Sequence, residues 1–332
     1  MQRTAASCLI TAALALAWAG TSLAPAPDTA RAQAPTAPPR AEEPTWKWPD
    51  ARVEEFWGRL SAGPSLKPAR WPGGAAVAVA LSFDYQMGTI YEQNPAASTS
   101  TNSQYDGRVG LPRLLRLLDR HEVPASFFVT GITARLYPDT IRQIMASGRH
   151  EVGVHGWIHE RTTSVPPEDE RRLLQKTVEA LQTVTGRQPV GYRSPSWEFS
   201  SETVRLLQEF GFLYDSGMMA DDDPYEILVD GKATGLIEIP VEWMRDDAMY
   251  FPRQVPHSPD DVYDAWRAEF DLAYQEGGLF QLTMHPRIMG HRSRVLMLGR
   301  LIAYMKSKPG VWFATHEQVA RHVQPRTGKP GF

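Results

Sequence analysis

The sequence predicts an α/β protein with a mainly parallel sheet and helices packed outside it. Three observations carry this: apolar runs of strand length, amphipathic runs of helix length between them, and their regular alternation along most of the chain. Ala75–Phe83 (AAVAVALSF) is an unbroken apolar run, the pattern of a strand buried on both faces. Leu111–His121 has apolar residues at helical spacing, with Pro112 in its first turn, where a missing N–H costs nothing. Ala125–Val129 is the next strand. Pro138–Ser147 reads as a helix closed by Gly148, and Glu151–Val154 as a strand. A longer helix spans Pro167–Thr185, with Gly186 placed to end it. Val190–Arg193 is a short strand and Ser201–Phe210 a helix ended by Gly211. Ile237–Val241, Gly278–Met284 and Val311–Ala314 complete the strands. Ser258-Pro259 opens a helix as N-cap and first residue, and Arg294–Lys306 forms another. Such βα units with right-handed crossovers make a barrel or an open doubly wound sheet, and both place active-site residues at the C-terminal ends of strands.

The chain has 332 residues, 42% hydrophobic and 22% charged, with a formal net charge of -3. This is the composition of a globular protein able to build a sizeable core without disulfides or structural metal. No basic block or basic aromatic stripe is present, so a nucleic-acid partner is not expected. Arg3 is followed by the apolar run Cys8–Ala19, then by small residues and a Pro/Ala/Thr-rich tract. That is the layout of an export signal, with cleavage after Ala19 or nearer Ala34, and the run is shorter than the ~20 residues that span a bilayer. The expected division is a signal peptide at 1–34, a Pro/Ala-rich leader and N-terminal extension at 35–73, a catalytic domain at 74–323, and a tail at 324–332. The expected location is periplasmic or secreted, with no stable membrane span after processing. Cys8 is the sole cysteine, so the processed chain has no thiol chemistry.

Four groups of residues at strand ends can carry chemistry. Asp84 ends the first strand, as a base at the mouth of a site or as a loop cap. His155 and His159 follow Glu151–Val154; an H-x-x-x-H pair sets two imidazoles on one side of a helical turn, suited to zinc, although the spacing also arises by chance. Arg193 ends a strand and can hold a buried carboxylate ionised, or lie on the surface. His285 closes Gly278–Met284, as a general acid for a departing amine or as a structural histidine. Four such residues, far apart in sequence and each at a strand end, describe a hydrolytic site.

These segments resemble the polysaccharide deacetylase family (the NodB homology domain, carbohydrate esterase family 4), in its peptidoglycan deacetylase-like and allantoinase-like subgroup. The carriers are Leu81–Gly88, Arg108–Arg113, Pro124–Val129, His155–Glu160, Gly191–Trp197, Leu213–Ser216, Asp222–Tyr225, Glu242–Asp247 and Leu282–Pro286. The resemblance implies a distorted (β/α) barrel of about seven strands. It implies Asp84 as base, Arg193 as its orienter, His285 as acid, and His155 and His159 as ligands of a divalent metal such as zinc. Trp197 and Trp243 would line the pocket; Tyr85, Gln86 and Asp247 would meet substrate, although Asp246 and Asp247 also read as loop caps. The family's second aspartate is missing: Tyr85 and Gln86 follow Asp84, and a neutral amide is a poor cation ligand. His257, His291, His316 and His322 match no family role and read as structural or surface residues.

The expected function is therefore an exported hydrolase of non-peptide C–N bonds. The foremost form is metal-assisted N-deacetylation of an N-acetylated glycan such as peptidoglycan. The alternatives are hydrolysis of a small cyclic amide, with or without metal and in a closed homo-oligomeric pocket, and a catalytically inactive carbohydrate-binding protein.

Overall fold

Every residue of Val77–Tyr85 is buried, because this strand is the axis of the sheet. The computed structural model describes residues 45–87, 101, 104–251 and 255–324. The expected export segment and the leader as far as residue 44 lie outside the described residues, as does the tail from 325. Among the described residues, no helix is long and apolar enough to cross a membrane.

The strands are β1 (Leu60–Ser65), β2 (Val77–Tyr85), β3 (Ser126–Val129), β4 (Glu151–Val154), β5 (Gly191–Tyr192), β6 (Tyr214–Asp215), β7 (Tyr225–Val229), β8 (Lys232–Glu238), β9 (Leu279–Met284) and β10 (Val311–Ala314). The helices are α1 (Asp50–Arg59), α2 (Leu111–His121), α3 (Gly131–Leu136), α4 (Pro138–Met145), α5 (Pro167–Thr185), α6 (Thr203–Glu209), α7 (Pro259–Glu276), α8 (Pro286–Met289), α9 (Arg292–Lys306) and α10 (His316–Val323). All belong to one compact unit, Pro49–Phe332.

The sheet runs β1-β7-β8-β6-β5-β4-β3-β2-β10, with β9 on the other edge of β2. One edge of β2 is shared, β10 pairing with Val77–Ala80 and β3 with Ser82–Tyr85. The sheet is parallel from β8 through β2 to β9 and β10, while β1 and β7 add antiparallel at the far end. β1, read from sequence as part of an N-terminal extension, is thus a strand of the sheet. A single-residue parallel bridge between Asp246 and Thr283 joins the chain after β8 to β9. The result is a curled, incomplete ring, the distorted α/β barrel expected.

Strand periodicity sorts β2 into two faces. Val77, Val79, Leu81, Phe83 and Tyr85 face the helices, packing in one core with Leu114 and Leu118 of α2 and Leu174 and Leu181 of α5. Each such aliphatic side chain stabilises the fold by about 1.5–3 kcal/mol of transfer free energy. Ala78 and Ala80 face inward, in a second core with Phe128, Tyr214 and Ile237. The interior is narrow: a Cβ on Gly153 of β4 would lie 2.8 Å from the Phe128 ring. Helix ends follow local chemistry. Gly186 ends α5 in the left-handed region, and the Ser258 hydroxyl caps α7 by accepting from Asp261 N.

Candidate active site

The inward face of β2 continues from Ala78 and Ala80 to Ser82, Asp84 and, just past the strand, Gln86. His155 follows β4 by one residue, Arg193 follows β5, and His285 follows β9. All four strand-end groups therefore meet above one end of the barrel, and all are buried.

Arg193 organises the site. Its Nε donates to Ser216 O at 2.8 Å. Nη1 donates to Ser82 Oγ and Asp84 Oδ1, each at 2.8 Å. Nη2 donates to Ser216 Oγ at 2.8 Å and faces His316 Nε2 at 3.4 Å. The guanidinium carbon lies 4.1 Å from the centre of the Phe128 ring. Burial alone would push the Asp84 carboxyl up, but Arg193, with His155 and His285, outweighs it and holds the group at about 2. Asp84 is thus ionised at every working pH.

His155 Nδ1 lies 2.9 Å from Arg193 O. A carbonyl only accepts, so Nδ1 carries the proton and Nε2 turns its lone pair into the site. There it stands 3.1 Å from Gln86 Nε2 and 3.7 Å from Asp84 Oδ2. The His159 ring lies 5.1 Å from that of His155. Burial pushes both imidazoles down, His159 to about 3, so both are neutral. The H-x-x-x-H spacing does not act here through a helical turn. Gly156 and His159 take left-handed backbone (φ 69° and 62°), and Glu160 closes the loop by accepting from Trp157 N at 2.9 Å and Ile158 N at 2.7 Å. A non-glycine residue held at positive φ is a local cost that fixes the second imidazole in place.

His285 stands opposite. Its Nδ1 lies 2.7 Å from Asp247 Oδ1, its backbone N–H donates to Asp247 Oδ2 at 3.0 Å, and its Nε2 faces Asp84 Oδ2 at 4.0 Å. Burial disfavours the imidazolium, yet the Asp247 carboxylate prevails and raises the His285 pKa above its ordinary value. Asp246 caps the next turn through Ala248 N at 2.8 Å and lies 3.7 Å from the same His285 nitrogen. Burial pushes its carboxyl up to about 6.

Two expected substrate contacts are corrected. Tyr85 is fully buried in the outer core, because strand alternation turns it away from Asp84. Asp247 lies fully buried behind His285, where it positions the imidazole rather than meeting solvent. Gln86 does face the site. Trp197 and Trp243 pair with one another, their rings 4.3 Å apart and tilted by 42°, with Trp243 45% exposed. Ser196 and Trp197 are both left-handed (φ 55° and 57°), a strained turn that presents the indole. Sequence reasoning missed Ser82, Ser216 and His316 as supports of Arg193. Strand alternation from Asp84 would have found Ser82, and the strand-end rule would have found His316.

The donor chemistry near Asp84 fits a divalent cation: two neutral imidazoles and a carboxylate oxygen turned toward one of them. Among the described residues, the trio whose donor atoms all lie within 4.8 Å of one another is Asp246, Asp247 and His285. The Nδ1 of His285 is already engaged by Asp247, so that trio is better read as a carboxylate-held imidazole.

Residues 73–214 match the family model for polysaccharide deacetylase. A peptidoglycan deacetylase of Helicobacter pylori is 32% identical over 277 residues, covering 74% of this chain and 94% of its own. The peptidoglycan deacetylase-like protein FGM2 of Gibberella zeae is 26% identical, covering 74% and 85%. Among solved structures, a Mycobacterium smegmatis protein assigned as a polysaccharide deacetylase superposes with a TM-score of 0.74 at 37% identity, covering 82% of this chain and 98% of that one. Puue allantoinase superposes with a TM-score of 0.71 at 27% identity, covering 81% and 96%.

Proposed function

Because the chain belongs to the polysaccharide deacetylase family, hydrolases of carbon–nitrogen amide bonds, we propose that it removes the acetyl group from an N-acetylated glycan such as peptidoglycan. The observation that carries this reading is the pairing of an ionised carboxylate and a carboxylate-held imidazole, Asp84 Oδ2 and His285 Nε2, facing one another at 4.0 Å. That is a base and an acid on one reacting centre.

Asp84 accepts the proton of the attacking water through Oδ2, while Arg193 fixes Oδ1. His285 carries its proton on Nε2 and delivers it to the amine nitrogen as the C–N bond breaks. Asp247 holds the imidazole in the protonated form and in one orientation. A carboxylate held at about 2 is always ionised but a weak base, so it suits a water made more acidic by its surroundings. His155 and His159 would hold the cation, zinc by the nature of the donors, and such a cation would supply that acidity and polarise the carbonyl. Gln86 is a neutral neighbour of this set. Trp197 and Trp243 offer apolar faces to a sugar ring or acyl methyl. Export to the cell envelope or beyond, which places the enzyme beside such a substrate, is supported by the apolar run Cys8–Ala19.

A second reading, hydrolysis of a small cyclic amide, is favoured by the depth of the site. Asp84, Gln86, His155 and His285 are each 5% exposed or less. Acetate release from purified peptidoglycan, measured beside ring opening of small cyclic amides, separates the two. Asp84→Asn is expected to lower turnover by about 10²–10⁴-fold with an unchanged circular dichroism spectrum. Near-normal turnover in that variant would remove Asp84 from the base role.

A further inference from the structure

We infer that His316 is a positioning residue for this reaction, setting the Arg193 guanidinium and, through it, Asp84. The inference rests on the reading of Asp84 as the base. His316 is the first residue of α10, directly beneath the site, and is completely buried.

A guanidinium has five N–H donors in a fixed plane. In Arg193 four of them are taken by Ser216 O, Ser216 Oγ, Ser82 Oγ and Asp84 Oδ1. The fifth, on Nη2, has His316 Nε2 at 3.4 Å. That nitrogen accepts only if the imidazole proton sits on Nδ1, and the surroundings fix it there. Ser126 Oγ accepts from His316 N at 2.8 Å and lies 3.1 Å from His316 Nδ1. The Ser126 hydroxyl proton is already used, donated to Glu151 Oε2 at 2.8 Å. Oγ can therefore only accept from Nδ1, which leaves the Nε2 lone pair facing Arg193. Glu151 is itself anchored by Tyr214 Oη at 2.7 Å and Glu317 N at 2.9 Å. Burial and the Arg193 charge keep the imidazole neutral, in agreement with an acceptor role. The Phe128 ring, lying against the guanidinium face, also meets the His316 ring edge-on at 5.4 Å between centroids.

A polarity chain thus runs from Glu151 at the barrel floor through Ser126 and His316 to Arg193 and the base. Without the fifth acceptor, a buried N–H is left unpaired, and the guanidinium plane can turn to find another partner. Asp84 Oδ1 would then lose its alignment.

The test compares His316→Ala, His316→Gln and Ser126→Ala, with Asp84→Asn as reference, by acetate release from purified peptidoglycan and by ¹⁵N NMR of the arginine side chains. For His316→Ala, kcat is expected to fall by about 10–100-fold with KM nearly unchanged. Separate Arg193 Nη signals of the wild type should merge as rotation is freed. His316→Gln, whose amide can both accept from Arg193 and donate to Ser126, should recover most of both readouts. Ser126→Ala, which disturbs the tautomer without touching Arg193, should lower kcat more mildly and carries the test if His316→Ala does not fold. Unchanged kcat and unchanged Arg193 signals in a folded His316→Ala, or in Ser126→Ala in its place, would overturn the inference. If instead Asp84→Asn keeps its turnover, the base assignment is what fails, and the Arg193 signals alone decide the role of His316.

Discussion

Replacing Asp247 by Asn tests whether the acid is made by its carboxylate. Asn keeps the size and one acceptor for His285 Nδ1–H, so what is lost is a buried negative charge 2.7 Å from that nitrogen and the second oxygen that accepts from the His285 backbone N–H. A buried hydrogen bond to a charged group contributes about 1.5–3 kcal/mol. If that stabilisation belongs to the imidazolium that donates the proton, kcat/KM at neutral pH should fall by about 10–150-fold. Asp246, 3.7 Å from the same nitrogen, keeps part of the negative field and holds the loss to that range. The pH profile adds a sign. The His285 pKa is raised in the native protein, so its protonated form survives to higher pH than an ordinary histidine's. Activity on the alkaline side falls as that proton leaves, and in Asp247→Asn the fall should begin at lower pH. Acetate release from peptidoglycan between pH 5 and about 9 reads both effects. An unchanged alkaline limb with unchanged kcat/KM would show that Asp247 does not set the acid.

His155→Ala combined with His159→Ala should abolish bound divalent metal in elemental analysis of protein purified without chelator, while the wild type carries it near-stoichiometrically. Retention of metal in the double variant would move the ligand set elsewhere. Trp243→Ala, at the exposed member of the aromatic pair, should raise KM for glycan with little change in kcat, as expected of about 1 kcal/mol or more of stacking; an unchanged KM would leave the pair without a binding role. Asp215 and Glu238 are paired carboxyls on β6 and β8 that share one proton; burial pushes Asp215 up to about 7 and Glu238 well above its ordinary value. Their folded pKa values exceed the unfolded ones, so the stability they confer is full below about 4 and declines as pH rises through the folded values. Asp215→Asn should therefore raise the melting temperature at pH 8 relative to pH 5; an equal or larger loss at pH 8 would refute the shared-proton account.

Much of this arrangement is legible in the residues, and the rest is not for identifiable reasons. β4, α2, α5 and β10 lie where their patterns place them, α2 by its apolar period and α5 by its stop at Gly186. β5 lies within the short strand read at Val190–Arg193, whereas β6, with two residues, is too short for any periodicity to register. The β7–β8 hairpin did carry a signal. Asp230-Gly231 sits between Val229 and Lys232 with both residues at positive φ, the dipeptide that a tight hairpin turn demands. At the site, the strand-end rule located Asp84, His155, Arg193 and His285. Applied with equal rigour it would also have reached His316, two residues past β10, and a count of alternating faces would have excluded Tyr85. The link from Asp247 to His285 was out of reach, since nothing in either segment states that two loops 38 residues apart in the chain are neighbours.

The Asp246–Thr283 bridge has a consequence for how such a site can change. The base is seated in β2, a strand paired along both edges, whereas the acid is armed by a segment whose backbone joins β9 through one bridge. The backbone that forms this seam also carries the carboxylate that charges His285. A seam that parted even slightly would draw Asp247 off the imidazole while leaving Asp84 and Arg193 in register. Acid and base therefore answer to different parts of the molecule. Alteration between residues 239 and 251 can retune which leaving group is protonated, and how readily, without rebuilding the half of the site that activates water.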